Sequence, residues 1–284
     1  MKVLRTVAEV RAFRAGSASP TIGLVPTMGA LHAGHESLIE RAARENDLAV
    51  VSIFVNPTQF GPQEDFAAYP RDESADLATC ERLGTAMVFA PTVDEMYPAG
   101  DATRVQAGPI AARLEGAARP GHFAGVATVV TKLFAIVRPD IAYFGQKDFQ
   151  QLRVIQTMSR DLHLGVRVAG SATVREADGL AMSSRNRYLS ADDRKSALAL
   201  SRALLAAKEE WSRGERDPGK LRDRVRRDTA VPGVAVEYVS VADPLTLDEL
   251  ERPAERAVIS LAARVGKARL IDNVLLGMAL DEVA

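Results

Sequence analysis

Ten consecutive residues concentrate the chain's chemistry: Pro26-Thr27-Met28-Gly29-Ala30-Leu31-His32-Ala33-Gly34-His35. They lie between an apolar run at 22–25 and a stretch, 36–46, in which Leu38, Ile39, Ala42 and Ala43 recur at helical spacing. A helix N-terminus offers N–H groups and a partial positive charge, which suit a phosphate. Gly29 and Gly34 let the backbone come close to a ligand. His32 and His35 sit three apart at the helix entrance and can point into one cleft. There, imidazoles donate to phosphate oxygens and stabilise charge on a departing pyrophosphate. Two plainer readings stay open: one histidine caps the helix while the other is surface, or the pair ligates a metal with a third ligand from distant sequence. Neither a Walker loop nor G-x-G-x-x-G occurs, so a nucleotide must be held another way.

Three more segments carry polar chemistry beside apolar runs. Gly145-Gln146-Lys147-Asp148 follows the run 141–144, with Gln151 one turn into the next helical pattern. Lys147 is a point charge for phosphate and Asp148 an acceptor for a ribose hydroxyl; a helix capped by Asp148 with Lys147 in solvent fits equally well. In Met182-Ser183-Ser184-Arg185, two hydroxyls and a forked guanidinium form a clamp for phosphates, or simply a polar loop. Asn56-Pro57-Thr58-Gln59-Phe60 follows the run 48–55, and Asn56 and Gln59 are neutral hydrogen-bonding groups suited to a small polar substrate.

The elements that must position these groups alternate in type. Strands are predicted at 22–25, 48–55, 86–89 and 141–144, and helices at 36–46, 72–83, 125–137 and 148–161. Strands alternating with helices of ten or more residues give β-α-β units and a parallel sheet, with ligands beyond the strands' carboxyl ends. After about Thr173 the pattern becomes two helices, 191–213 and 221–229, and then strands at 235–241, 257–263 and 268–275. The fold class is therefore α/β: a Rossmann-like parallel-sheet domain over 1–173 and a smaller C-terminal α+β domain over 174–284. The basic run 222–227 is interrupted by Asp223 and Val225 and reads as a solvated helix face.

Composition bounds the partners. With 47% hydrophobic and 26% charged residues the 284-residue chain has core material for one large or two smaller domains. A net charge of −1 offers no broad field for a phosphate backbone, which argues against nucleic-acid binding. Cys80 is the single cysteine, so no intrachain disulfide forms and thiol-based metal frameworks are excluded. The first residues lack the apolar core of a signal peptide, and no apolar run approaches the ~20 residues of a membrane helix. A cytoplasmic protein without membrane partners is expected.

Taken together these segments resemble the pantothenate synthetase (pantoate–β-alanine ligase) family, within the His-x-Gly-His nucleotidyltransferase superfamily. The resemblance rests on residues 26–35, Val55-Asn56-Pro57-Thr58-Gln59-Phe60-Gly61, Glu64-Asp65 with Tyr69-Pro70-Arg71, Leu114-Glu115-Gly116, Arg119-Pro120-Gly121-His122-Phe123, Tyr143-Phe144-Gly145-Gln146-Lys147-Asp148, and 175–187. It implies ATP-dependent condensation of pantoate with β-alanine through a pantoyl-adenylate, releasing AMP and pyrophosphate. ATP would lie against Met28, Gly29, Ala30, Leu31, His32, Ala33, Gly34 and His35. Gly145, Gln146, Lys147 and Asp148 would surround its ribose and phosphates, Val174 would neighbour adenine, and Met182, Ser183, Ser184 and Arg185 would close over the phosphates. Gln59 and Gln151 would hold pantoate, Gln59 would border the β-alanine site, and Asn56 lies beside them. His35 would donate a proton with His32, Lys147 and Arg185 assisting, and Asp76 would help hold Mg²⁺. A homodimer with a C-terminal lid, and a gate at 61–75, complete the expectation. A different nucleotidyltransferase of the same superfamily, a nucleotide- or RNA-binding module and a two-histidine metallohydrolase are the rivals.

Overall fold

The computed structural model describes residues 1–16, 20–62, 64 and 66–283. These fall into two compact units. One comprises Met1–Gly145 with Gln150–Ser171, the other Gln146–Phe149 with the chain from Ala172 onward.

The first unit is built on six parallel strands: β1 (Lys2–Leu4), β2 (Ile22–Thr27), β3 (Leu48–Ile53), β4 (Met87–Phe89), β5 (Ile141–Gly145) and β6 (Arg167–Ser171), in the order β1-β4-β3-β2-β5-β6. Its helices are α1 (Val7–Ala15), α2 (Ala33–Glu45), α3 (Glu73–Arg82), α4 (Val93–Met96), α5 (Glu115–Ala118), α6 (His122–Val137) and α7 (Phe149–Asp161), whose first residue clusters with the other unit. Burial on both sheet faces explains the unbroken apolar runs: Leu24, Val25, Val50, Val51, Met87, Val88, Phe89, Ala142 and Tyr143 are all fully buried. Progression along the sheet reverses between β2 and β5. The carboxyl ends of these adjacent strands are thus the switch point at which such sheets take ligands.

Proline in a central strand would normally forbid the assignment, and the sequence stops the first run at Val25. The strand nevertheless reaches Thr27, for a geometric reason. The N–H and C=O of Ile22 face the β5 side, whereas the carbonyls of Thr21 and Thr27 face β3. By alternation Pro26 faces β5, and pairing there has already ended at Leu24, so its missing N–H costs no ladder bond.

The second unit packs α8 (Ala191–Ser212) and α9 (Pro218–Thr229) on one antiparallel sheet, ordered β7 (Val234–Ala242), β8 (Ala257–Val265), β9 (Ala268–Leu276). Leu200, Leu204, Leu221, Val225, Ile259, Leu261 and Leu276 form its core. Ser190 and Asp193 make a reciprocal capping box at the start of α8, and Asp217 caps α9. The fold class read from the sequence stands, with two strands and three helices added to the first unit. β1 (Lys2-Val3-Leu4) and β6 (Arg167-Val168-Ala169-Gly170-Ser171) contain charged, small or polar residues instead of the unbroken apolar run that marks the other strands.

Candidate active site

Residues 28–31 form a turn that only its surroundings can hold. Gly29 has φ +79° and Ala30 has φ +52°, two successive left-handed residues. A Cβ on Gly29 would stand 2.7 Å from Asp76 Oδ2 and 3.2 Å from Ile53 Cγ2, so glycine is required by both conformation and space. Asp76, 4% exposed on the first turn of α3, secures the turn: its Oδ2 accepts the N–H of Ala30 at 2.9 Å and its Oδ1 that of Leu31 at 2.8 Å. Gly29 N–H donates to Thr27 Oγ1 at 3.1 Å.

The amides of Gly29, Ala30 and Leu31 are thus all bonded within the protein. Asp76, expected as a magnesium ligand, has each carboxylate oxygen engaged by a backbone donor. Among the described residues no group of three or more His, Cys, Asp or Glu is arranged to hold a metal ion.

His32 is the N-cap of α2, its Nδ1 accepting the Gly34 N–H at 3.2 Å. That bond places the ring proton on Nε2, which faces away from the cap as a donor. The His35 ring lies over it, centroids 4.1 Å apart and planes tilted by 31°. Capping and ligand chemistry are thus compatible in one residue: the cap fixes the tautomer and so the direction of the remaining N–H.

Beyond β3 a single helical turn, Pro57–Gln59, carries the neutral amides. Asn56 caps it and is 1% exposed. Its Oδ1 accepts from Tyr97 OH at 2.8 Å, Thr58 Oγ1 at 2.9 Å and Thr58 N–H at 3.3 Å; its Nδ2 donates to Gln59 Oε1 at 3.0 Å and Gly125 O at 3.2 Å. This buried amide is fully engaged within the protein and holds the Gln59 side chain through Oε1. With Gln59 Oε1 held by Asn56, Nε2 donates to Met28 Sδ at 3.1 Å. This contact joins the loop after β2 to the loop after β3. Helix α6 presses on the same turn: a Cβ on Gly125 would sit 2.3 Å from Thr58 O and 2.7 Å from Gln59 N.

The backbone of Gln59 is fixed from a second side, by residues that the sequence marked only as a motif. His122 Nδ1 lies 2.9 Å from Gln59 O, and Arg119 Nη1 lies 3.1 Å from His122 Nε2. The carbonyl can only accept and the guanidinium only donate, so His122 is neutral, with its proton on Nδ1. Burial, and then the Arg119 charge, push its imidazole down to about 4. Arg119 also grips Glu64 through two bonds of 2.7 and 2.6 Å, which holds that carboxyl below its usual range. Of the expected gate at 61–75, Gln63 and Asp65 lie outside the described residues. In the rest, Phe66 and Tyr69 pack edge-on to Phe60, and Arg71 caps the Phe66 and Tyr69 carbonyls. Gln151 is half-buried in the first turn of α7; its neighbour Gln150 is structural, bonded to Glu115 N–H and to the Ile110 and Arg113 carbonyls.

The remaining expected residues belong to the second unit. Gln146, Lys147 and Asp148 form one tight helical turn directly after Gly145, the last residue of β5. Val174 and Met182 face each other across a short hairpin, Met182 N–H donating to Val174 O at 3.0 Å, with Arg175 paired to Ala181. Ser183 caps the turn Ser184–Tyr188, its Oγ accepting Arg185 N–H at 3.3 Å. Lys147 and Ser183 line one small cavity in this unit. Cys80 is buried, its thiol pushed up to about 11, and carries no chemistry at neutral pH. Among the described residues no helix is long and apolar enough to cross a membrane.

The family model for pantoate-beta-alanine ligase matches residues 2–275. A pantothenate synthetase of Roseiflexus sp. (strain RS-1) is 56% identical over 277 residues, covering 97% of this chain and 99% of its own; one from Moorella thermoacetica is 52% identical over 279 residues, covering 97% and 99%. The crystal structure of the Thermus thermophilus pantothenate synthetase superimposes with a TM-score of 0.92 at 50% identity, covering 96% of this chain and 99% of that one. The Francisella tularensis pantoate-beta-alanine ligase, solved in complex with beta-gamma ATP and beta-alanine, gives 0.80 at 34% identity and covers 98% and 99%. The chain belongs to the pantoate-beta-alanine ligase family.

Proposed function

We propose that this chain condenses pantoate with β-alanine at the expense of ATP, by way of a pantoyl-adenylate. The observation that carries the reading is the stacked histidine pair at the N-terminus of α2, joined through Met28 to the Gln59 amide, whose Nε2 donates to Met28 Sδ. A helix entrance with an N–H-bearing imidazole suits a polyphosphate, and an amide NH2 with a second donor beside it suits a hydroxy-acid.

In this reading the α-phosphate sits against His32, His35 and the first turn of α2, with Ala33 and Gly34. Lys147, Asp148, Val174, Met182, Ser183, Ser184 and Arg185 take the remaining phosphates, ribose and base. Gln59 and Gln151 hold pantoate with its carboxylate in line with the α-phosphorus. That carboxylate attacks the phosphorus and pyrophosphate leaves; charge neutralisation and positioning supply most of the acceleration. The β-alanine amine then attacks the acyl carbonyl and expels AMP. The mixed anhydride must be shielded from water meanwhile, the task assigned to the 61–75 segment and to the C-terminal unit as a lid. Mg²⁺ supplied with the nucleotide would neutralise phosphate charge, and Asp76 stays with its turn. We further assign the molecule to the cytoplasm, as a homodimer of chains with an ATP- and pantoate-binding N-terminal domain.

AMP release tests the reading. Sustained AMP production requires pantoate and β-alanine together and matches pantothenate one for one. Steady AMP release that ignored β-alanine would instead favour a nucleotidyltransferase with a stable nucleotide product.

A further inference from the structure

Besides Arg269 near its start, β9 carries two polar residues, both at its middle: Asp272 and Asn273, 4% and 3% exposed. Burying two polar side chains side by side costs several kcal/mol unless each is fully bonded. Here each is, to a different segment. Neighbouring side chains on a strand leave by opposite faces, so one dipeptide can reach two places.

Asp272 takes both arms of Arg175, with Nη1 to Oδ2 at 2.7 Å and Nη2 to Oδ1 at 3.0 Å. Arg175 Nη1 also donates to Gly179 O at 3.2 Å, bracing the hairpin that begins at Val174 and delivers Met182 and Ser183. Asn273 Nδ2 donates to the carbonyls of Gln146 and Lys147, both at 2.9 Å, and its Oδ1 accepts from Gln146 Nε2 at 3.2 Å. The Asn273 N–H donates back to Asp272 Oδ1 at 2.8 Å, so the two anchors are themselves linked. These bonds also account for Gln146–Phe149 clustering with the C-terminal unit although Gln146 follows β5 directly.

We propose that Asp272 and Asn273 are positioning residues for adenylate formation, holding the Lys147 turn and the Met182–Arg185 segment in one fixed register. The inference rests on the phosphate-binding roles given above to Lys147 and Arg185. Asn273 acts through the backbone of Gln146 and Lys147, and Asp272 through Arg175. A displacement of about 1 Å in a charge that must meet a transition state costs on the order of 10²-fold, so releasing either anchor reads out in the chemical step.

A double-mutant cycle on the full-length protein tests this, with Asn273→Ala, Lys147→Ala and the double variant. Each is assayed by pantoate-dependent ATP–pyrophosphate exchange alongside thermal unfolding. Asn273→Ala is expected to lower kcat/KM for ATP about 10–100-fold while the pantoate KM stays within about twofold. In the Lys147→Ala background the same change should cost less than about threefold, because the misplaced group is already gone. An Asn273→Ala enzyme within about twofold of wild type, or an equal loss in both backgrounds, overturns the proposal. Wild-type ATP dependence in Lys147→Ala would overturn the phosphate role of Lys147 itself, and the positioning role with it. Asn273→Asp is isosteric, keeps the acceptor for Gln146 and replaces the two donated bonds with repulsion. It serves the same cycle if the alanine variant does not fold.

Discussion

Asp76 separates two accounts of the same residue. As a metal ligand it would act through Mg²⁺; as the clasp of the 28–31 turn it acts through two amides. Asp76→Ala removes the acceptor from two enclosed donors, Ala30 N–H at 2.9 Å and Leu31 N–H at 2.8 Å. Leaving a buried donor without its partner costs about 1–3 kcal/mol, so the pair costs about 2–6 kcal/mol if the turn keeps its shape. The turn has a cheaper escape. Ala30 is held at φ +52°, a conformation that costs an alanine on the order of 1–2 kcal/mol, and without Asp76 it relaxes. Relaxation carries Met28 away from Gln59 and tilts the entrance of α2. The expected result is a loss of a few kcal/mol in stability, no more than the full cost of the two bonds, and a rise in the KM for both ATP and pantoate. Asp76→Asn is the sharper probe: it keeps size and one acceptor but turns an amino group toward a backbone N–H. The assay is initial rate against MgATP at fixed pantoate, repeated over a hundredfold range of free Mg²⁺ once ATP is saturated with metal. Activity of Asp76→Asn should not depend on the excess. Recovery of the wild-type rate at high Mg²⁺ would refute the clasp and restore the metal ligand.

Three other outcomes follow from the site. Gly125→Ala puts a methyl 2.3 Å from a backbone oxygen, so α6 or the Pro57–Gln59 turn must shift; pantoate KM should rise at least about tenfold with ATP affinity near normal, measured by initial rates. Asn56→Ala removes a buried hub and should cost about 2–4 kcal/mol in thermal unfolding, whereas the half-buried Gln59→Ala should affect pantoate affinity far more than stability. His122 titrates near 6.5 when unfolded and about 4 when folded, so the unfolded chain binds more protons between these values. Stability is therefore complete above pH 6.5 and falls as pH drops toward 4, by about 3 kcal/mol from this residue. His122→Gln, which keeps a donor for the Gln59 carbonyl, should flatten that part of the pH–stability curve; an unchanged slope contradicts the neutral, buried imidazole.

The parts of this molecule legible in its sequence are those whose signal is local. The apolar run at 48–55 suits a strand buried on both faces, and the strand observed there ends two residues earlier, at Ile53. His32 beside a helical pattern announces a helix entrance, though not that its Nδ1 is spent on the cap. What stays hidden is long-range pairing. Asp76 lies 46 residues from the amide it holds, and Asn273 lies 126 from the Lys147 carbonyl. Nothing in spacing or periodicity records such bonds: Asp76 is singled out only through the family resemblance, and Asn273 reads as one more strand residue. Asn56 is likewise hidden in its bonding: a polar residue in a promising loop gives no sign that Tyr97, Thr58 and Gly125 bond its side chain. Polar residues near a site are as often the frame as the contact, and only burial distinguishes them.

The central claim is that adenylation precedes amide formation at the histidine pair. Pantoate-dependent exchange of labelled pyrophosphate into ATP, measured without β-alanine, tests it most directly. The wild-type protein should catalyse exchange only with pantoate present, and His35→Ala should lose about 10²–10³-fold of that rate while still binding ATP. Exchange that proceeds without pantoate, or that survives intact in His35→Ala, would contradict the account.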